Sequence, residues 1–204
     1  MLRIFHRASA CVIASFAAIH LYNHLLAIQN VAAHIQFMES FRQIYRNTVV
    51  ETVLLACVAY QVSSGIYLLW HRWGQRRGFF ERLQAMSGGY LAYALLAHTV
   101  SVVLLGRTVL RVDTNFYFAA AGMHVTPYQL YFVPYYFLFV VALFGHVACA
   151  VHWLTREQLR ESSRNYLGYA VLAVGVVVAA LIVAALAGAF YDISIPQVYR
   201  ATYE

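Results

Sequence analysis

The 204-residue chain contains no lysine, only eight acidic residues and 14 arginines. Charged side chains make up 11% of it, against about 25% in a soluble domain. That scarcity excludes a disordered chain and an ordinary cytosolic enzyme. Cysteine is also scarce. Cys11, Cys57 and Cys149 form no C-x-x-C pair, and their number is odd. Disulfide scaffolds, zinc ribbons and covalently attached c-type haem therefore lack their motif, and the three read as small apolar side chains.

What the sequence has in quantity is apolar length. Five stretches, about 8–28, 48–70, 86–106, 127–154 and 165–191, are almost free of charge, with Glu51 the one acid among them. Each meets the roughly 20 residues that a helix needs to cross a bilayer. In lipid a segment must satisfy its own backbone, so helices are the reading. The expected fold is an all-α integral membrane protein, a single transmembrane domain over 1–204. The first stretch is not a signal peptide, because His20, Asn23 and His24 interrupt it and no small-x-small site follows.

The arginines orient the chain. Arg3, Arg7, Arg72, Arg76, Arg77, Arg82, Arg156, Arg160 and Arg164 fall on one side, and Arg42, Arg46, Arg107, Arg111 and Arg200 on the other. Nine against five places the N-terminus inside and the C-terminus outside. The basic balance is thus topological, and no nucleic-acid partner is needed to explain it.

An internal repeat places the polar groups. Ser9 precedes His20 by eleven residues and Ser87 precedes His98 by eleven, both pairs offset by 78. Gln61-x-x-x-Gly65 and His146-x-x-x-Ala150 are offset by 85. The pattern describes two repeated helical hairpins plus a fifth helix. His20 and His98 lie roughly 18 Å along their helices, level with each other and beyond the midplane. Gln61 and His146 are level in the inner half. Two level imidazoles on separate helices are what a b-type haem requires, one axial nitrogen from each face. Polar groups at such depth are costly and tend to be functional. The alternative is a buried histidine that only bonds a neighbouring helix. His24, one turn after His20, is a second candidate ligand on the same face. His71 and His152, beside Trp70, Trp73 and Trp153, read as interfacial anchors. His6, His34 and His124 read as loop or edge residues facing solvent.

Four segments carry a resemblance. "FHRASACVIASFAAIHL", "YQVSSGIYL", "LQAMSGGYLAYALLAH" and "LFGHVACAVHWL" resemble the ligand-bearing segments of the single-chain, five-helix, di-haem cytochrome b anchors of succinate:quinone oxidoreductases and fumarate reductases. The similarity covers about 1–154. It implies haem b, with His20 and His98 as ligands of an outer haem and Gln61 and His146 at the place of an inner one. Gln61 stands where that family has histidine, and Ala150 where it has glycine. An amide is a poor ligand beside imidazole, so one haem per chain is expected. The resemblance further implies quinone as substrate, flavoprotein and iron–sulfur subunits on the cytoplasmic side, and a bacterial cytoplasmic membrane. It makes the chain a non-flavin membrane subunit. A stand-alone cytochrome and a haem-depleted structural anchor are the alternatives.

Three further features have two readings each. Glu51 is either a proton acceptor for quinone chemistry or a helix-start acid facing the positive dipole end. Arg7 and Ser9 line a quinone pocket, or Arg7 is an interfacial charge. The small residues of the fifth helix pack against the bundle or against a second copy in a homodimer.

Overall fold

The structure, a computed structural model, describes residues 1–71, 74 and 78–203. Arg72, Trp73, Arg76 and Arg77, used above for orientation and anchoring, lie outside the described residues. The chain is all-α, with α1 (Leu2–Leu26), α2 (Val31–Tyr45), α3 (Thr48–His71), α4 (Phe79–Thr99), α5 (Phe116–Ala121), α6 (Gln129–Leu154), α7 (Glu161–Leu186) and α8 (Gln197–Arg200). Five of these are long and apolar enough to span a membrane: α1, α3, α4 with its continuation, α6 and α7. Three spans begin earlier than the charge-free windows suggested, α1 by six residues, α4 by seven and α7 by four. Arginine-containing turns at the membrane edge remain helical, because the helix is the cheapest way to satisfy the backbone there.

α4 does not stop at Thr99. It continues to Val109 as a π-helix, with the Thr108 hydroxyl donating to the Val103 carbonyl five residues back at 2.8 Å. Wide turns of this kind gather at functional sites. This one starts two residues after His98.

α1 packs on α3, and α4 packs on α6. These are the two hairpins of the repeat. α7 lies along α6, where its small residues act inside the chain. A Cβ at Gly175 would sit 2.2 Å from Phe144 Cβ, and one at Gly168 would sit 2.6 Å from the Phe80 ring. The side chains those glycines admit fill the α6–α7 and α4–α7 seams. Four tyrosines rivet α4 to α6. Tyr90 donates to the Tyr135 carbonyl at 3.1 Å, Tyr135 donates to the Ala94 carbonyl at 3.2 Å, and the Tyr93 and Tyr131 hydroxyls meet at 2.7 Å.

The segment between the first two spans is a helix, α2, which hydropathy windows passed over because it mixes Gln36, Glu39 and Gln43 with apolar residues. Asn30 caps it by accepting from Ala33 N–H at 2.8 Å, a strong helix-start signal. α2 folds back along α1, with Phe41 stacked on Phe16 and Phe37 against Tyr22. Arg42 ties it to Asp113 at 2.7 Å and to the Thr114 carbonyl at 2.9 Å, and Arg46 reaches the Thr114 hydroxyl at 3.1 Å. Together α2, α5, α8 and the segment after α7 cap one end of the bundle. The main buried core sits under this cap, with Phe116, Ala120 and Leu186 almost fully enclosed. Tyr191 reaches across it to donate to the Ala27 carbonyl.

Candidate functional site: two sets of buried polar residues

The capped end holds four histidines in ring contact. His20 and His24 are one turn apart on α1, so they share a face, with ring centroids 4.6 Å apart and Nε2 atoms 3.3 Å apart. His98 comes from α4, its ring 6.0 Å from that of His20. His34 comes from α2, its ring 5.1 Å from that of His24. Asn23 donates from its amide to His34 Nε2 at 3.4 Å. Aromatic rings wall the cluster: Phe16 stacks on His20, Phe139 meets His98 edge-on, and Phe116 meets His34 edge-on.

His34 is therefore not the solvent-facing residue expected from its place between spans. It is 2% exposed, because α2 folds its apolar face onto α1 and α5. Burial, reinforced by the neighbouring His20 and Arg42, pushes its pKa down to about 4, so the imidazole is neutral at neutral pH. Three buried polar atoms of this cluster, Asn23 Oδ1, His24 Nδ1 and His34 Nδ1, have no hydrogen-bond partner among the described residues. Buried polar atoms are normally paired, and orphans mark a water, ion or ligand site.

Among the described residues, no three histidine, cysteine or carboxylate side chains converge as a cage for a bare metal ion. A pair serves a flat macrocycle better. The His20 and His98 rings, from separate spans, stand 6.0 Å apart and edge to face, and such an imidazole pair is a donor set that would hold a haem iron. The surroundings agree: α1 packs on α2, α3 and α7, α4 packs on α3 and α6, and the two imidazoles reach across the space between α1 and α4. The residues present fit a haem iron. His24 touches His20 and remains the alternative ligand from α1.

The other end of the bundle holds a different set. The Ser9 hydroxyl donates to Gln61 Oε1 at 2.7 Å, and Gln61 Nε2 donates to His6 Nε2 at 3.1 Å. His6 Nδ1 then meets Ser64 Oγ at 2.7 Å, and that hydroxyl donates to the Tyr60 carbonyl at 2.6 Å. The bonds run in one direction from Ser9 to Tyr60, which requires a neutral His6 with its proton on Nδ1. In the second hairpin, Ser87 Oγ lies 3.3 Å from His146 Nδ1. Gly88 makes room for that ring, since a Cβ there would lie 3.2 Å from His146 Cε1. Each serine of the repeat thus stands beside one of the two residues that the second offset matched, Gln61 and His146.

This set does not fit a second bis-imidazole haem. Both ends of the Gln61 amide are bonded, and both nitrogens of His6 are bonded. His6 was expected at a solvent-facing edge. It lies inside the first span because α1 starts at Leu2, and its bonds to α3 hold it. Its signal in the sequence was the three-residue step to Ser9, which puts both on one face of a helix.

The remaining predicted residues are separated. Arg7 is exposed whereas Ser9 is 8% exposed and turned to Gln61, so the two do not line one pocket; two residues along a helix is more than half a turn. Glu51 lies in the first turn of α3 and pairs through both oxygens with Arg107 of the π segment, the longer contact being 3.3 Å. His71 is exposed at its helix end and donates to the Tyr67 carbonyl at 3.0 Å. His152 is no interfacial anchor. It is 5% exposed and stacked on Phe80 at 3.9 Å, because the starts of α4 and α7 cover the end of α6. His124, expected to face solvent, instead donates to the Leu186 carbonyl at 2.9 Å and is half-buried. No protein-family model, curated protein or solved structure matches the chain, so what it does has to be argued from its own side chains.

Proposed function

We propose that this protein is a membrane cytochrome holding one b-type haem between His20 and His98, and that it exchanges electrons with membrane quinone. The observation that carries the reading is the approach of those two imidazoles to 6.0 Å across two spans, beside three orphaned polar atoms. Bound there, the haem would supply one-electron redox chemistry. The chain's own residues would bind and shield it. Phe16, Phe116 and Phe139 keep the site dry, and Asn23 and His34 hold the α2 side of the cluster. Glu51 at the same end of the bundle would accept a proton released by quinol on leaving its ion pair with Arg107, in which the carboxylate is the ionised partner.

The resemblance in four segments extends the proposal to a flavin/iron–sulfur partner of succinate dehydrogenase or fumarate reductase type. The closed network at Gln61 favours one haem over two. The arginine count favours an N-terminus in the cytoplasm and a C-terminus outside.

The reduced-minus-oxidised spectrum of the purified protein tests the core of the reading. A low-spin b-type signal near one haem per chain is expected, and it should vanish in His98→Ala. An unchanged six-coordinate signal in that variant would refute the assignment. Loss in His24→Ala but not in His20→Ala would move the α1 ligand by one turn. Co-purification of large flavin-containing subunits separates a dehydrogenase anchor from a stand-alone cytochrome. A protein that is folded but free of haem would be a structural anchor. Accessibility of a cysteine introduced at Thr202 to an impermeant thiol reagent in intact cells tests the orientation.

A further inference from the structure

A second site lies at the opposite end of the bundle from the histidine cluster, and nothing in the haem reading uses it. α4 and α7 both begin there, on either side of the end of α6. Between them is an open cleft of about 310 Å³ whose lining includes His152, Arg164, Asn165 and Tyr169. Volumes near 300 Å³ are at the small end of ligand pockets, enough for a headgroup and far more than one water.

Two side chains point to the ligand's charge. Nε and Nη1 of Arg164 are buried and have no partner among the described residues, and the same holds for Nδ1 of His152. His152 is 5% exposed. Its ring lies flat on Phe80, tilted by 13°, so it cannot swing out to find water. His152 is held by the Arg164 backbone, and the nitrogens that it and the guanidinium leave unpartnered beside the cleft call for a multi-oxygen acceptor. The unbonded N–H groups of the first turns of α4 and α7 add positive potential at the same place.

Two carboxylates also line the cleft. Glu81 is turned back to its own helix start, where it accepts from Gly78 N–H at 3.1 Å. Glu161 is exposed on the outer rim. Glu161 acts on His152 by charge, with no hydrogen bond or ion pair between them among the described residues. The aromatic side chains at the mouth fit a membrane interface. Phe79 and Tyr169 are 52% and 48% exposed and meet edge to face with ring centroids 5.5 Å apart. The arginine count assigns this end to the cytoplasm, where basic pockets between spans take anionic headgroups.

We infer that this cleft binds a phosphate ester anion, held by Arg164 and His152 and delivered by a membrane phospholipid whose chains run past Phe79 and Tyr169. The site is independent of whether His20 and His98 bind haem.

The test uses the full-length protein in a phosphate-free detergent solution. Three probes are titrated: dioleoylphosphatidylglycerol, dioleoylglycerol with the same chains and no phosphate, and inorganic phosphate. Binding is read by native mass spectrometry and by the thermal midpoint. The phospholipid should bind and raise the midpoint, and the phosphate-free lipid should not. Arg164→Gln should weaken phospholipid binding by about tenfold or more, as expected for loss of a charge-assisted pair. Arg164→Lys should restore part of it, and Arg156→Gln should leave it unchanged. Inorganic phosphate acting alone at comparable concentration would keep the phosphate site but assign it to a free anion. Equal effects of the two lipids would overturn the proposal, as would unchanged binding in Arg164→Gln. If that variant fails to fold, the comparison of the two lipids on the unaltered protein and on Arg164→Lys decides.

Discussion

Two sets of buried polar residues built on the same hairpin repeat, the one around Ser9 and the one around His20, are satisfied in opposite ways. Toward Ser9, polar atoms satisfy one another: Ser9, Gln61, His6 and Ser64 form a closed chain, each bond about 3 Å or shorter. Toward His20, the polar atoms are four imidazoles and an asparagine that mostly meet ring to ring, leaving three atoms unpaired. The first arrangement ties α1 to α3 and leaves nothing over for a ligand. The second costs stability as it stands, and something bound there would repay it. The covering differs as well. α2, α5 and α8 shield the histidine cluster from water and lipid, whereas the serine end has no such lid among the described residues. A repeat can thus place equivalent positions at equal depth while single residues decide which partners each position meets.

The comparison can be broken most forcefully at His98. His98→Ala should abolish the low-spin spectrum altogether while the serine network keeps the spans assembled, and a detergent-stable but colourless protein is the expected product. Next in size is the conversion of one end to the other. Gln61→His supplies the missing nitrogen opposite His146 and breaks the chain to His6. The haem-to-protein ratio, measured by pyridine haemochrome and amino-acid analysis, should rise from near one toward two. A ratio already near two in the unaltered protein would remove the contrast on which that expectation rests.

Smaller effects probe how each end is held. Arg42→Ala deprives Asp113 and the Thr114 carbonyl of a partner that is itself largely buried. It should cost about 1–3 kcal/mol, read as a lower thermal midpoint and faster proteolysis of the α2 lid. Haem retention should fall with it, since α2 carries His34. Ser9→Ala is the mildest change. One interhelical hydrogen bond in a membrane protein is worth about 0.6 kcal/mol on average, so a shift of that order is expected, with the haem spectrum unaltered.

How much of this could be read from the chain differs by residue. The five spans were legible because twenty charge-free residues admit one solution in lipid. The matched offsets made the equal depth of His20 and His98 legible, but not the bonds of Ser9 to Gln61 and of Ser87 to His146, which depend on how separate helices pack. α2 was not, because a helix that lies under a lid needs neither the length nor the uniform apolarity of a span. With α2 missed, His34 was assigned to solvent. His6 was misplaced for a related reason: charge-free windows end where arginines begin, but helices do not. His152 was taken for an interfacial anchor because its neighbours in sequence are aromatic, and its burial depends on α4 and α7, which are distant in sequence.

The sequence by itself determined five helices long and apolar enough to cross a membrane, and which positions along them are level with one another. Those follow from the bilayer's thickness and from the fixed rise of a helix, which act on each segment alone. Only the tertiary structure decided that Gln61 is bonded at both ends, that α2 folds His34 into the cluster, that Glu51 is paired with Arg107, and that Arg164 and His152 share a cleft. Each of these depends on which faces of separate helices meet, and that is fixed by side-chain packing such as Phe144 against Gly175, which hydropathy and spacing do not encode.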